Sequence, residues 1–377
     1  MRLSLAALLS MALCGPASGQ TNAPVPRAQR VVIMSIDGGR PDVVLRANTP
    51  NVRALCTEGS FTFWARTTEL SVTLPSHASM LTGVTPDKHG IVFNKDVPEE
   101  ELFYPKYPTI FELAKKKGLS TAMAAGKSKF VALCRPGSID YPIVPEAKKN
   151  YTDAEVAANA AKAIGEYRPQ VMLVHFGDGD RAGHAVGWGS PKQIAAMEQI
   201  DAGIGTVVAA LKKNGLYDST LIILSADHGG AARSHGKDDP RSRHIPWIAV
   251  GPGIRKNFDL TAFKDLVINT EDTFATSCAF MSIPTEGDID GKAITQMLEG
   301  AELMQSATTK PATKPAAAKV VDVKKGLSDS YANPYPAVDA IGAGFKLNNS
   351  ISAEFAVGAD ICVGATQPSD KTLPGWN

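Results

Sequence analysis

Three aspartates and three histidines stand where apolar segments end. Asp37 follows the run RVVIMSI at 30–36, and the pair Asp227-His228 follows TLIILSA at 220–226. Asp180-x-x-x-His184 comes shortly after QVMLVHF at 170–176, and His235 lies seven residues beyond His228 in Ser234-His235-Gly236. Imidazole nitrogens mixed with carboxylate oxygens suit zinc, whereas a set of oxygens alone would suit magnesium or calcium. A lone Asp at a strand end is most often a turn residue or a helix cap. The weight here comes from recurrence at successive segment ends.

A second group of residues has the chemistry of a phosphoryl site. In Ser71-Val72-Thr73-Leu74-Pro75-Ser76-His77, Pro75 suits the first turn of a helix and so puts Thr73 at or just before its N-terminus. Unpaired N–H groups and the helix dipole favour an anion there. A threonine hydroxyl is a weak nucleophile, but a metal on its oxygen can deprotonate it. The plainer alternative is a Thr N-cap. Lys127 and Lys129, in Gly126-Lys127-Ser128-Lys129-Phe130, follow another apolar segment and could reach a phosphoryl oxygen or sit on a solvated loop. Phe93, Phe130 and Trp188 could wall a second ester group, or could simply pack.

Alternating strands and helices must position these groups. Strands are expected at 30–36, 119–125, 170–176, 220–226 and 245–250, and helices at 49–58, 75–82, 107–117, 153–167, 191–213 and 272–281. Strands that are apolar throughout are buried on both faces, which predicts an α/β three-layer sandwich with a mostly parallel central sheet. In such a fold functional residues gather on loops past the carboxyl ends of the strands, and the three aspartates and three histidines are expected on such loops.

Flanking segments read differently. Arg2, the apolar run 3–13 and small residues at 17–19 resemble a secretory signal peptide cut near Gly19, so residues 1–19 are expected to be an address and the mature protein secreted or periplasmic. Cys14 would be lost with it, leaving Cys56, Cys134, Cys278 and Cys362, whose pairing their spacing does not decide. Residues 305–320, rich in Thr, Lys, Pro and Ala, read as a linker after a catalytic domain at 20–304. Beyond it, 321–377 reads as a small C-terminal appendage, where Phe345, Leu347, Ile351, Phe355 and Val357 share one parity.

With 44% hydrophobic residues the 377-residue chain can bury a large core. Lys+Arg of 39 against Asp+Glu of 38 gives no basic excess for a nucleic-acid duplex. After the N-terminus no apolar run approaches the ~18 residues that cross a bilayer, so no transmembrane segment is expected.

Taken in order, Asp37, Thr73-x-Pro75-x-His77, Asn94, Asp180-x-x-x-His184 and Asp227-His228-Gly229 resemble the alkaline phosphatase superfamily, most closely its nucleotide pyrophosphatase/type I phosphodiesterase branch. That resemblance implies an alkaline phosphatase-like fold with two zinc ions, about 4 Å apart as is usual in two-metal sites. By the same resemblance Asp37, Asp227, His228 and the Thr73 oxygen would hold one zinc. Asp180, His184 and a third histidine would hold the other, with His235 assigned and His244 as runner-up. Asn94 matches the family's phosphate-binding Asn, and its amide could donate to a non-bridging oxygen. Two Zn²⁺ against three aspartates leave a site charge of about +1, which attracts a phosphoryl anion. The implied reaction is in-line attack by Thr73, a phosphothreonine intermediate, and release by water activated at the second zinc.

Sulfatases of this superfamily resemble Cys/Ser-x-Pro-x-Arg where Thr73 and His77 stand, and its phosphate mutases use Ser beneath a large cap. Both are disfavoured. The pyrophosphatase branch tends to carry a long insertion before its last His, whereas six residues separate His228 from His235 here. The expected function is therefore a two-zinc phosphoric ester hydrolase, phosphodiesterase-like, acting on a small-molecule phosphate ester. An alkaline phosphomonoesterase with the same metal site is the alternative, and a zinc-containing binding module without turnover is the second.

Overall fold

The structure, a computed structural model, describes residues 25–97, 103–236 and 239–301. The expected signal peptide 1–19, linker 305–320 and appendage 321–377, with Cys362, lie outside the described residues.

Apolar runs form the middle of one eight-stranded sheet. The chain opens with β1 (Arg30–Ile36), α1 (Pro41–Arg46), α2 (Pro50–Glu58), β2 (Ser60–Arg66), α3 (Thr73–Thr82) and α4 (Pro86–His89). It continues with α5 (Ile110–Lys116), β3 (Thr121–Ala125), β4 (Tyr141–Ile143), α6 (Asp153–Glu166), β5 (Val171–Phe176), α7 (Asp178–Val186) and α8 (Pro191–Lys213). It closes with β6 (Thr220–Ala226), α9 (Pro240–Arg243), β7 (His244–Val250), β8 (Phe258–Asp259) and α10 (Asp272–Met281).

Strand order is β4-β3-β5-β1-β6-β7-β2-β8. All neighbours pair parallel except β7, which runs antiparallel to both β6 and β2. The mostly parallel α/β sandwich expected from the sequence is thus the fold. Every residue of β1, β3, β5 and β6 is buried, as a sheet covered on both faces requires. One helical group gathers around α8, which touches α1, α2, α6 and α7. A second gathers α4, α5 and α10 around α3.

Local signals explain most boundaries. α5 starts at Ile110 rather than 107 because Thr109 and Glu112 form a reciprocal capping box. The same device, Thr152 with Glu155, starts α6. α8 is long and apolar enough to cross a membrane, but Met197, Ile200, Ile204, Val207 and Leu211 on it are buried in the core. One expectation needs correction. The segment 178–186 is a helix, not a strand-end loop, so Asp180 and His184 share a face at i, i+4. The strand at 244–250 runs against its neighbours. Cys56, Cys134 and Cys278 are all free thiols, so no disulfide joins the described cysteines.

Register makes the site. Ile36 pairs with Phe176 on one side and Ala226 on the other, and Ala125 pairs with His175. Four adjacent strands therefore end almost level, and the residues that follow them meet.

Candidate active site: two facing ligand groups and a helix N-terminus

Asp37, Asp227 and His228 form one buried group, and Asp180, His184 and His235 form another, each with ligand atoms within 4.8 Å of one another. In the first, His228 Nε2 lies 3.5 Å from Asp37 Oδ1 and 3.3 Å from Asp227 Oδ2. In the second, Asp180 Oδ1 lies 3.3 Å from His184 Nε2 and 3.4 Å from His235 Nε2, and the two Nε2 atoms are 3.1 Å apart.

Protons can be assigned from the other ring nitrogen. Nδ1 of His228, His184 and His235 sits 2.8, 2.9 and 3.0 Å from the carbonyls of Gly229, Arg233 and Ser71. A carbonyl only accepts, so each Nδ1 carries the hydrogen and each Nε2 offers a lone pair. Burial, reinforced by His235, lowers the His228 pKa to about 3, and burial lowers that of His235, so both favour the neutral form a metal needs. Asp37 Oδ1, Asp180 Oδ1 and Asp227 Oδ2 are buried with no hydrogen-bond partner. With the three carboxylates ionised, acceptor oxygens face acceptor nitrogens. That arrangement is repulsive alone and fits a cation between them.

A ring of neighbours fixes these ligands. His175, inside β5, donates from Nε2 to Asp37 Oδ2 at 2.9 Å, while its Nδ1 accepts from the Gly126 amide at 3.2 Å. Lys127 Nζ lies 2.6 Å from both Asp37 Oδ2 and Asp180 Oδ2 and so joins the two groups. Burial opposes the Lys127 charge, but the two carboxylates outweigh it and raise its pKa. Burial likewise acts to raise Asp37, yet Lys127 and His175 hold it well below the usual carboxylate range. Asp227 is driven well above that range by burial and by Asp37. Trp188 caps the second group. Its indole donates to the Gly38 carbonyl at 3.0 Å and meets the rings of His184 and His235 edge-on. The slot is built of glycine: a Cβ on Gly230 would overlap the Trp188 ring, and Gly38 has φ of +72° beside Asp180.

Thr73 is the first residue of α3, and Val72 rather than Thr73 is the N-cap. Its hydroxyl does not serve as the cap, and Oγ1 lies 3.4 Å from His228 Nε2. Asn94 Oδ1 accepts from the Leu74 amide at 3.1 Å and from Lys129 Nζ at 3.0 Å, which leaves Nδ2 as its donor. Lys129 has its pKa lowered by burial and then by Lys127. The structure thus brings together Asp37, Thr73, Asn94, Lys127, Lys129, Asp180, His184, Asp227, His228 and His235. His244 stands apart at the start of β7, its ring edge-on to Trp64 at 4.7 Å. Phe130 is fully buried against His77 and His175, and it packs rather than forming an open wall. Sequence reasoning missed His175, whose apolar strand gave no sign of a polar role, and placed Lys127 at the phosphate rather than between the aspartates.

Fold and paired ligand groups define a candidate two-metal hydrolytic centre of the alkaline phosphatase superfamily. Residues 31–241, over half of the chain, match the family described as Type I phosphodiesterase / nucleotide pyrophosphatase, and the chain belongs to it. Bis(5'-adenosyl)-triphosphatase ENPP4 of Bos taurus is 27% identical over 244 residues, covering 61% of this chain and 53% of that protein. An uncharacterised pyrophosphatase/phosphodiesterase of Schizosaccharomyces pombe is 25% identical over 229 residues, covering 55% and 46%. The chain thus spans about half the length of these relatives. Among solved structures, inactive murine ENPP5 in complex with AMP superposes with a TM-score of 0.60 at 15% identity, covering 72% of this chain and all of that one. A 2-O GAG sulfatase superposes with a TM-score of 0.59 at 14% identity, covering 74% and 76%. These superpositions speak for the fold.

Proposed function

We propose that this protein is a two-zinc phosphoric ester hydrolase of phosphodiesterase/nucleotide pyrophosphatase type, with Thr73 as nucleophile. One observation carries the reading: unpartnered oxygens of Asp37, Asp180 and Asp227 converge on the Nε2 lone pairs of His228, His184 and His235, beside the hydroxyl of Thr73. The nitrogen-and-carboxylate donor set suits zinc. Zinc bound there supplies Lewis-acid charge and lowers the pKa of a hydroxyl or water in contact with it.

The chain's own groups do the rest. Thr73 Oγ attacks phosphorus, the P–O bond to the leaving group breaks, and the leaving oxygen takes up a proton in place of the one the hydroxyl gives up. Water then cleaves the phosphothreonine and returns the hydroxyl. Asn94 Nδ2 donates to a non-bridging oxygen, and the Leu74 amide and Lys129 hold Asn94 in place. Lys127 balances Asp37 and Asp180 so that three buried carboxylates can stand together. The substrate is a small phosphate ester, of which a nucleotide diester or pyrophosphate is the family's class. The inactive murine relative carries a threonine-to-alanine change, in keeping with a threonine nucleophile. Export through residues 1–19 belongs to the same proposal.

A phosphomonoesterase is the second reading, favoured by Lys129 beside Asn94, since a monoester dianion needs extra positive charge. The deciding experiment is kcat/KM of zinc-loaded protein on a nitrophenyl phosphate diester and on the matching monoester. Preference for the diester supports the main reading, and preference for the monoester the second. Zinc binding without turnover of either sinks both and leaves a binding module.

A further inference from the structure

We infer that His77, backed by Ser35, is a positioning residue that ties the Thr73 backbone to the strand bearing Asp37; this rests on the reading of Thr73 as nucleophile. His77 lies one turn after Thr73 on α3, and its Nδ1 is 2.7 Å from the Thr73 carbonyl oxygen. Its Nε2 is 2.8 Å from Ser35 Oγ, on β1 two residues before Asp37. The carbonyl can only accept, so Nδ1 carries the hydrogen. Nε2 then accepts, and the Ser35 hydroxyl donates. The hydrogen bonds run in one direction, from Ser35 through His77 to Thr73.

Position gives the link its meaning. The first residue of a helix is the most easily frayed, and Val72 makes no side-chain cap bond here. Asn94 caps the neighbouring Leu74 amide, but that bond does not hold the Thr73 carbonyl. His77 instead gives that carbonyl a second donor besides the helical ladder, and Ser35 refers that donor to β1. The ring is fully buried, with Phe130 at 4.7 Å and His175 at 4.9 Å, both edge-on. His175 in turn holds Asp37. Two touching histidines thus fix the nucleophile's backbone and a ligand carboxylate against each other.

The test compares zinc-loaded His77→Phe, His77→Asn and Ser35→Ala with wild type and Thr73→Ala on a nitrophenyl phosphate diester, with zinc content measured for each. Phe keeps a ring but donates nothing, whereas Asn places an amide N–H near the Nδ1 position. For His77→Phe the expected result is a fall in kcat of about 10- to 100-fold with KM within about twofold and zinc unchanged, the size of a small misplacement of a reacting group. His77→Asn should regain most of that loss, and Ser35→Ala should fall between. Equal loss in Phe and Asn variants, or kcat of His77→Phe near wild type, overturns the inference. Should His77→Phe not fold, Ser35→Ala decides: a several-fold fall in kcat at constant KM supports the link, and an unchanged kcat overturns it. Full activity in Thr73→Ala would instead remove the nucleophile reading, and the inference with it.

Discussion

At the scale of single residues, the site is a set of lone pairs pointed at one another. Asp180 Oδ1 faces two imidazole acceptors and has no donor of its own. His235→Ala or Asp180→Asn should therefore cost one of the two ions and lower kcat/KM by about 100-fold or more, read by elemental analysis and turnover on the same sample. His244→Ala should leave both ions in place, because that ring packs on Trp64 instead. Loss of zinc from His244→Ala alone would refute the assignment of His235. The aspartates were legible in the sequence because each follows an apolar run. Lys127 was legible as a candidate but not as the link between Asp37 and Asp180, since only register brings the end of β3 beside β5 and β1. His175 was hidden because a strand buried on both faces shows no period that marks one polar member.

At the scale of elements, capping and burial set what each helix tolerates. α6 depends on the Thr152–Glu155 box, so Thr152→Ala should cost about 1 kcal/mol in denaturant unfolding with kcat unchanged. Glu271, at the N-cap of α10, has its pKa raised from 4.5 to about 7 by burial and by Asp272. The folded state then holds a proton that the unfolded state has lost. The penalty is absent below about pH 4.5 and grows as pH rises through 7, to ~3 kcal/mol. Glu271→Gln should accordingly gain stability over wild type between pH 5 and pH 8, measured as the difference in unfolding free energy. Parallel curves for the two proteins would count against it. Several elements were readable to the residue, among them α8, β6 and α10, whose apolar spacing, Pro191 and Gly215 mark them. β2, with the sequence SFTFWAR, was not read because Ser and Thr interrupt its apolar residues. α7 is poorly marked in the sequence because DGDRAGHAV is polar and glycine-rich, although its i, i+4 ligands are a helical spacing. The reversal of β7 leaves no mark in hydropathy, because a buried strand is equally apolar in either direction.

At the scale of the whole molecule, the ligand groups stitch layers together. Asp37 and Asp227 come from the central sheet, Asp180 and His184 from α7, and His235 from a loop whose Nδ1 reaches Ser71 ahead of α3. Metal binding should therefore stabilise the fold as well as the chemistry. Chelation should lower Tm by on the order of 10 °C, and added zinc should restore both Tm and turnover. A Tm indifferent to chelator would mean that the two groups hold no structural metal. Removal of residues 305–377 should leave kcat/KM within about twofold of the full chain, because every proposed ligand precedes that segment.

The most direct measurement is turnover of Thr73→Ala on a nitrophenyl phosphate diester with zinc content confirmed. Asp37, Asp227 and His228 remain in that variant, so both ions should stay bound while kcat/KM falls about a thousandfold or more. Full activity in the variant, with the same zinc content as wild type, would contradict a threonine nucleophile.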